Sequence, residues 1–157
     1  MSKKGLNMAQ RYYGRQRSYG NIKADIEDIV AVSEKRMLAL MRQSLQDVIE
    51  NAQTPTGKGG RMRVDTGFLR ASGRASLTGM PSGPVRGEPD QKYSYSDESA
   101  VIAILGQMKL GQTLHFGWTA NYAKYRELFD GFLEGALMHW ARIVAFNTDT
   151  IRQRIKQ

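Results

Sequence analysis

Apolar residues recur at three- and four-residue steps from Ile22 onward: Ile22, Ile26, Ile29, Val30, Met37, Leu40, Met41, Leu45 and Val48. That spacing predicts one long amphipathic helix with a core-facing stripe. Asn21 stands where an N-cap belongs, and Asp25, Glu27 and Asp28 suit the positive end of the helix dipole. Thr54-Pro55 sets the stop, because the residue before a proline is pushed out of helical geometry. A second periodic stretch runs from about Gly131, with Leu133, Leu137, Trp140, Val144, Ile151 and Ile155 in its stripe. Asn147-Thr148-Asp149-Thr150 breaks that stripe with cap-forming residues and predicts a kink or restart there.

The middle of the chain carries a different pattern. Val101, Ile102, Ile104 and Leu105 are β-formers and read as a strand ending at Gly106. KLGQT reads as a turn, and Thr113 to Trp118 alternates as a second, antiparallel strand should. Residues 74–80 are the weakest strand candidate. The segment 78–92 holds three of the chain's four prolines and reads as a long mobile loop. In VDTGFLRAS, Asp65 or Thr66 is placed to cap a short helix whose first turn includes Gly67 and Phe68. Leu69 then points inward and Arg70 outward. The expected fold is α+β: a small antiparallel sheet packed against the long N-terminal helix and a C-terminal helix. Residues 21–157 form one domain, preceded by a basic arm over 1–20.

Charge sharpens the picture of that arm. The 157-residue chain has a formal net charge of +8. Residues 1–24 hold six basic residues and no acid, and 53–92 hold seven basic against three acidic. The arm mixes Lys3, Lys4, Arg11, Arg15 and Arg17 with Tyr12, Tyr13 and Tyr19, without periodicity. Such a segment is disordered alone and ordered by a neighbour. Lys58, Arg61, Arg63 and Arg86 sit in Gly/Pro-rich loops and read, with the arm, as a candidate interface for an acidic neighbour. TPTGKGG is no phosphate loop, because Lys58 is followed by glycine rather than by Ser or Thr.

Catalytic and cofactor chemistry find little foothold. There is no cysteine, and the two histidines, His115 and His139, have no metal-ligand spacing around them. No GxSxG elbow is present. Neither an enzyme nor a cofactor or metal is expected. No apolar run approaches the roughly 20 residues of a membrane span. Non-specific nucleic-acid binding through the basic arm and loops is the alternative function, since no recognition-helix signature appears.

Three short motifs in order carry a resemblance. The first is Val64, Asp65, Thr66, Gly67, Leu69, Arg70 and Ser72. The second is Tyr122, Ala123, Tyr125 and the acidic Glu127. The third is Phe132, Leu133 and Ala136. Together, over residues 22–146, they resemble small tail components of long-tailed bacteriophages, called neck, head–tail connector or tail-completion proteins. LFDGFLEGAL departs from that family by lacking the Gly-Thr loop and proline it usually has there. The resemblance implies a virion protein assembled in the host cytoplasm. It implies copies joined in a ring, a hexamer by family analogy, that contacts neighbouring neck and tail proteins. DNA would pass through the ring without sequence-specific contact. In that reading the motif residues are structural, and the protein joins heads to tails by its surfaces.

Overall fold

The computed structural model describes residues 19–94 and 98–155. Helix α1 runs over Tyr19–Gln53 and is followed by a 3-10 turn, Thr56–Lys58. A one-turn helix, α2 (Phe68–Ala71), leads into strand β1 (Gly73–Ser76). After an irregular stretch come helix α3 (Glu98–Gln107) and strand β2 (His115–Trp118). Three helices complete the chain: α4 (Ala123–Asp130), α5 (Phe132–Leu137) and α6 (Trp140–Ile155). The two strands pair antiparallel, with Gly73 opposite Trp118 and Ser76 opposite His115. The fold class is therefore α+β, with the sheet packed against α1 and the C-terminal helices. No helix among the described residues is long and apolar enough to cross a membrane.

The chain divides into two compact units, one ending at Lys35 and one beginning at Arg36. In the first, the part of α1 from residue 22 to 35 is exposed throughout. The stripe that reads as core-facing is thus bare over Ile22, Ile26, Ile29 and Val30, and burial on α1 begins only at Ser44. Periodicity reports a face that wants cover; it does not say which molecule supplies it. α1 starts at Tyr19, inside the segment read as arm, and stops at Gln53, directly before Thr54-Pro55 as expected.

In the second unit α1 is covered on two sides. Ile49 packs with Val101, Leu105 and Met108 beneath the strand residues Ala75 and Phe116. Val48 and Ala52 pack with Ala136 of α5, against Trp118 and Ile143. Arg42 ties α1 to the end of α3, its guanidinium donating to the Met108 carbonyl at 2.5 Å.

Two expected elements are corrected. Residues 101–105 are helical, not a strand. Val101, Leu105 and Met108 fall at i, i+4 and i+7 and are all buried, while Ile102 is exposed. A strand would have put Ile102 and Ile104 on a second face needing its own cover; a helix needs only one. The partner of β2 is instead the segment after α2, so the weakest strand candidate supplies the second strand. The second correction concerns the last helix. It is broken at Met138–His139, between α5 and α6, and runs unbroken through Asn147–Thr150. The Thr148 and Thr150 hydroxyls donate to the carbonyls four residues back, Val144 and Phe146, at 2.7 and 3.0 Å. That bond satisfies the side chain without ending the helix.

The loops are tied down. In the 54–62 loop the Thr56 and Gly60 amides donate to the Met62 and Pro55 carbonyls at 3.0 Å, and Met62 is fully buried. The irregular 77–94 stretch is pinned where the Asn121 amide donates to the Val85 carbonyl at 2.9 Å and the Thr119 hydroxyl to the Pro84 carbonyl at 2.7 Å.

Candidate functional site

The three motifs, scattered over some 70 positions of sequence, meet in one cluster. Phe68 and Leu69 pack with Met62, Ala120 and Phe132, and Ala123 and Leu133 close the edge. Aromatic rings extend the cluster: Phe68 meets Tyr93 edge-on at 5.1 Å and Tyr122 at 6.5 Å, and Trp118 meets Phe132 edge-on at 4.8 Å.

Each motif contributes a specific bond. Gly67 takes a left-handed φ of 85° at the N-cap of α2, a conformation that suits glycine. The cap bond comes from one residue earlier, with the Phe68 amide donating to Thr66 Oγ1 at 3.3 Å. Ser72 is buried; its hydroxyl donates to the Leu69 carbonyl at 2.7 Å and accepts from the Ala120 amide at 3.3 Å. It therefore links the first motif to the end of β2. Glu127 caps α5: its two carboxylate oxygens accept from the Leu133 and Glu134 amides, both at 2.9 Å. Val64 and Asp65 are exposed, Leu69 is buried as expected, and Arg70 is half-buried rather than turned outward. Tyr125 is exposed.

Beside this cluster lies an open cavity of about 890 Å³, lined by residues 63–70 together with Thr56, Gly87, Glu88, Tyr122 and Arg126. Three arginines, Arg63, Arg70 and Arg126, share its wall with Asp65 and Glu88. Asp130 sits behind it, buried, with Arg126 at 2.6 Å and Arg63 at 3.6 Å. Partial burial pushes the Tyr122 phenol above its ordinary pKa, and Asp65 adds to the rise; a Leu69 backbone hydrogen bond and the Arg126 charge oppose it. Tyr122 thus stays protonated at neutral pH and lends a neutral hydroxyl. Arginine is permanently charged and offers only donors.

The candidate interface residues are not brought together. Lys3, Lys4, Arg11, Tyr12, Tyr13, Arg15 and Arg17 lie outside the described residues, and Tyr19 opens α1. Lys58 and Arg86 are exposed on separate loops. Arg61 and Arg63 both lie against residues of the chain's own C-terminal helices. Arg61 lies over Gly135 of α5, where an added Cβ would fall 2.7 Å from its Nε. Arg63 faces Asp130, a pairing that position in a loop does not signal. The Arg126–Asp130 pair has helical i, i+4 spacing and was readable in principle. Tyr93, whose amide donates to the Thr66 carbonyl at 2.7 Å, carries no sequence signal at all. Among the described residues there is no group of three His, Asp or Glu side chains able to hold a metal. Scanned against protein-family models the chain matches none, and neither the curated proteins nor the solved structures give a match.

Proposed function

We propose that this protein is a structural virion component of a tailed phage. It forms a ring in the neck or at the head-proximal end of the tail, where it joins or completes the tail. One observation carries this reading: large apolar side chains stand uncovered on the C-terminal helices and at the break between α5 and α6. Leu128, Phe129, Met138 and Phe146 are 74, 82, 71 and 70% exposed. Exposed apolar side chains gathered on a few elements mark surfaces meant for another protein. Thr66, Leu69, Ser72, Glu127 and Phe132 of the motifs, meanwhile, are engaged in capping, packing and cross-linking their own fold. That division fits a rigid module whose work is done by its outer surfaces.

The experiment is mass measurement and negative-stain imaging of the purified chain, free of nucleic acid, at low and high salt. A discrete closed oligomer at both salts is the expected result. A monomer that gathers only on added DNA, and releases it as salt rises, would favour the nucleic-acid alternative. In phage particles lacking this protein, filled heads and unattached or unfinished tails are expected.

A further inference from the structure

The last residue of α1 carries a polar side chain into the interior. Gln53 is 1% exposed, and neither the nitrogen nor the oxygen of its carboxamide makes a hydrogen bond among the described residues. The indole Nε1 of Trp118 is likewise buried and unbonded among them. A carboxamide brings two donor hydrogens and an acceptor oxygen, and an indole brings one donor. Buried without a partner, each group carries its full desolvation penalty, and folded proteins leave few such groups unmet.

The two side chains meet over one residue. A Cβ on Gly73 would fall 3.1 Å from Gln53 Nε2 and 3.3 Å from Phe116 Cζ, so the carboxamide lies where Gly73 has no side chain. The Arg70 carbonyl oxygen is 3.4 Å from the same point. Trp118 stands directly opposite Gly73 in the ladder, which puts its ring on that same face of the sheet. Val48 and Ala52, on the turn of α1 before Gln53, pack against that ring. Phe116 closes the recess, edge-on to Trp118 at 5.0 Å. A group that satisfies both side chains must accept from N–H and donate to a carbonyl oxygen, and must fit beneath a helix end. Water does all of this: it takes about 30 Å³ and needs two to four polar partners, and the recess offers them.

We propose that the recess over Gly73 is an internal hydration site. Ordered water there accepts from the Trp118 Nε1–H and the Gln53 carboxamide N–H, and donates to Gln53 Oε1. It adds a polar link between the end of α1 and β2 to the apolar one that Ala52 makes with Trp118. Bridging water of this kind is close to a direct hydrogen bond in enthalpy, which is why a core can keep a glutamine there. The site belongs to the fold and stands whether or not the protein forms a ring.

The test is water–protein cross-relaxation by NMR on the full chain, read at the Trp118 indole N–H and the Gln53 carboxamide protons. Paired laboratory-frame and rotating-frame spectra separate a bound water from proton exchange. Trp118→Phe assigns the indole signal, and Trp140, which is 37% exposed, is the surface reference. Water contacts with the sign of a molecule tumbling with the protein are expected at both Trp118 and Gln53, and not at Trp140. Gln53→Leu removes both carboxamide atoms and leaves a water too few partners, so the Trp118 contact should be lost while the circular dichroism of the fold is unchanged. The wild-type spectra decide the matter even where that variant fails to fold. No long-lived water at Trp118 and Gln53 would overturn the site, whether their N–H groups prove to bond each other directly or the carboxamide rests on the Phe116 ring. So would an undiminished water contact at Trp118 in folded Gln53→Leu, because the two side chains would then not share the recess.

Discussion

The carbonyl oxygen of Tyr93 occupies the space that a side chain on Gly67 would need: a Cβ built there falls 2.2 Å away. The obstacle is backbone, and it is held in place by the Tyr93 amide, which donates a hydrogen bond to the Thr66 carbonyl. Gly67→Ala therefore meets two costs, a left-handed φ and a collision. Together they should cost about 3 kcal/mol, or roughly 6–12 °C in Tm for a domain of this size. Gly67→Asn separates the two, because asparagine tolerates a left-handed φ but still brings a Cβ. It should melt nearly as low as the alanine variant; recovery to wild type would mean that the collision is relieved by a small shift of the loop.

Glu127 holds the start of α5 with both carboxylate oxygens. Glu127→Ala should cost about 1–2 kcal/mol, the range of a lost charged cap. Glu127→Gln keeps one acceptor and should cost less than half of that. Denaturant unfolding of the three proteins checks the order. Because Phe132 and Leu133 follow directly, loss of the cap should also raise amide exchange at residues 132–134 ahead of the rest of the domain.

Asn147 is buried within α6 and reaches back to α1, donating to Asp47 at 2.7 Å and to Ser44 at 3.3 Å. Asn147→Ala leaves Ser44 and Asp47 without that donor and should cost about 1–3 kcal/mol. Asn147→Asp places a second carboxylate against Asp47. Two adjacent carboxylates raise one pKa of the pair above its unfolded value. The variant should therefore regain stability as pH falls through the acidic range and lose it as pH rises toward neutrality. Thermal melts from pH 4 to pH 8 read this directly, with the wild type as reference.

Tyr122 should give the wild type an alkaline limit. Its phenol is raised above the ordinary value of 10.0, chiefly by burial. A raised folded pKa means that the folded state prefers the neutral form. The contribution is fully present below pH 10 and is lost as pH rises through the folded pKa. Tyr122→Phe should be somewhat less stable at neutral pH, having lost its hydroxyl bond. It should also show a shallower decline in Tm above pH 10 than the wild type. Equal slopes for the two proteins would assign the alkaline limit to another group.

Sequence alone made some elements readable and hid others, for physical reasons. The end of α1 was legible because proline imposes a local rule at Thr54-Pro55. β2 was legible because Phe116 and Trp118 sit on one face with a period of two, and the structure stacks them edge-on at 5.0 Å. The stretch 101–105 was not, because a short apolar run suits a buried strand and a buried helix equally. Only the burial of Met108, at i+7 from Val101, decides it. At the first motif the helix and its capping residue were within reach: Thr66 caps one position before the structural N-cap. The convergence with Tyr93 was out of reach, since a loop residue announces no partner. Asn147 misled for a similar reason. Its residue type suggests a cap, and only the nearness of Ser44 and Asp47 shows that it is a buried tie.

The two-stranded ladder has a kinetic consequence. β1 and β2 are four residues each and about 40 positions apart. A two-stranded sheet of that size has little stability of its own. Its hydrogen bonds are rewarded only once the intervening segment has been closed into a loop, and that entropy must be lost first. α3 lies within that segment and packs under Ala75 and Phe116, so its docking and the zipping of the ladder belong to one event. The long helix forms from local contacts in microseconds or less. The closure that joins Gly73 to Trp118 must therefore come before the ladder can form, and a chain stalled short of it has its principal helix but not the strands that cover it.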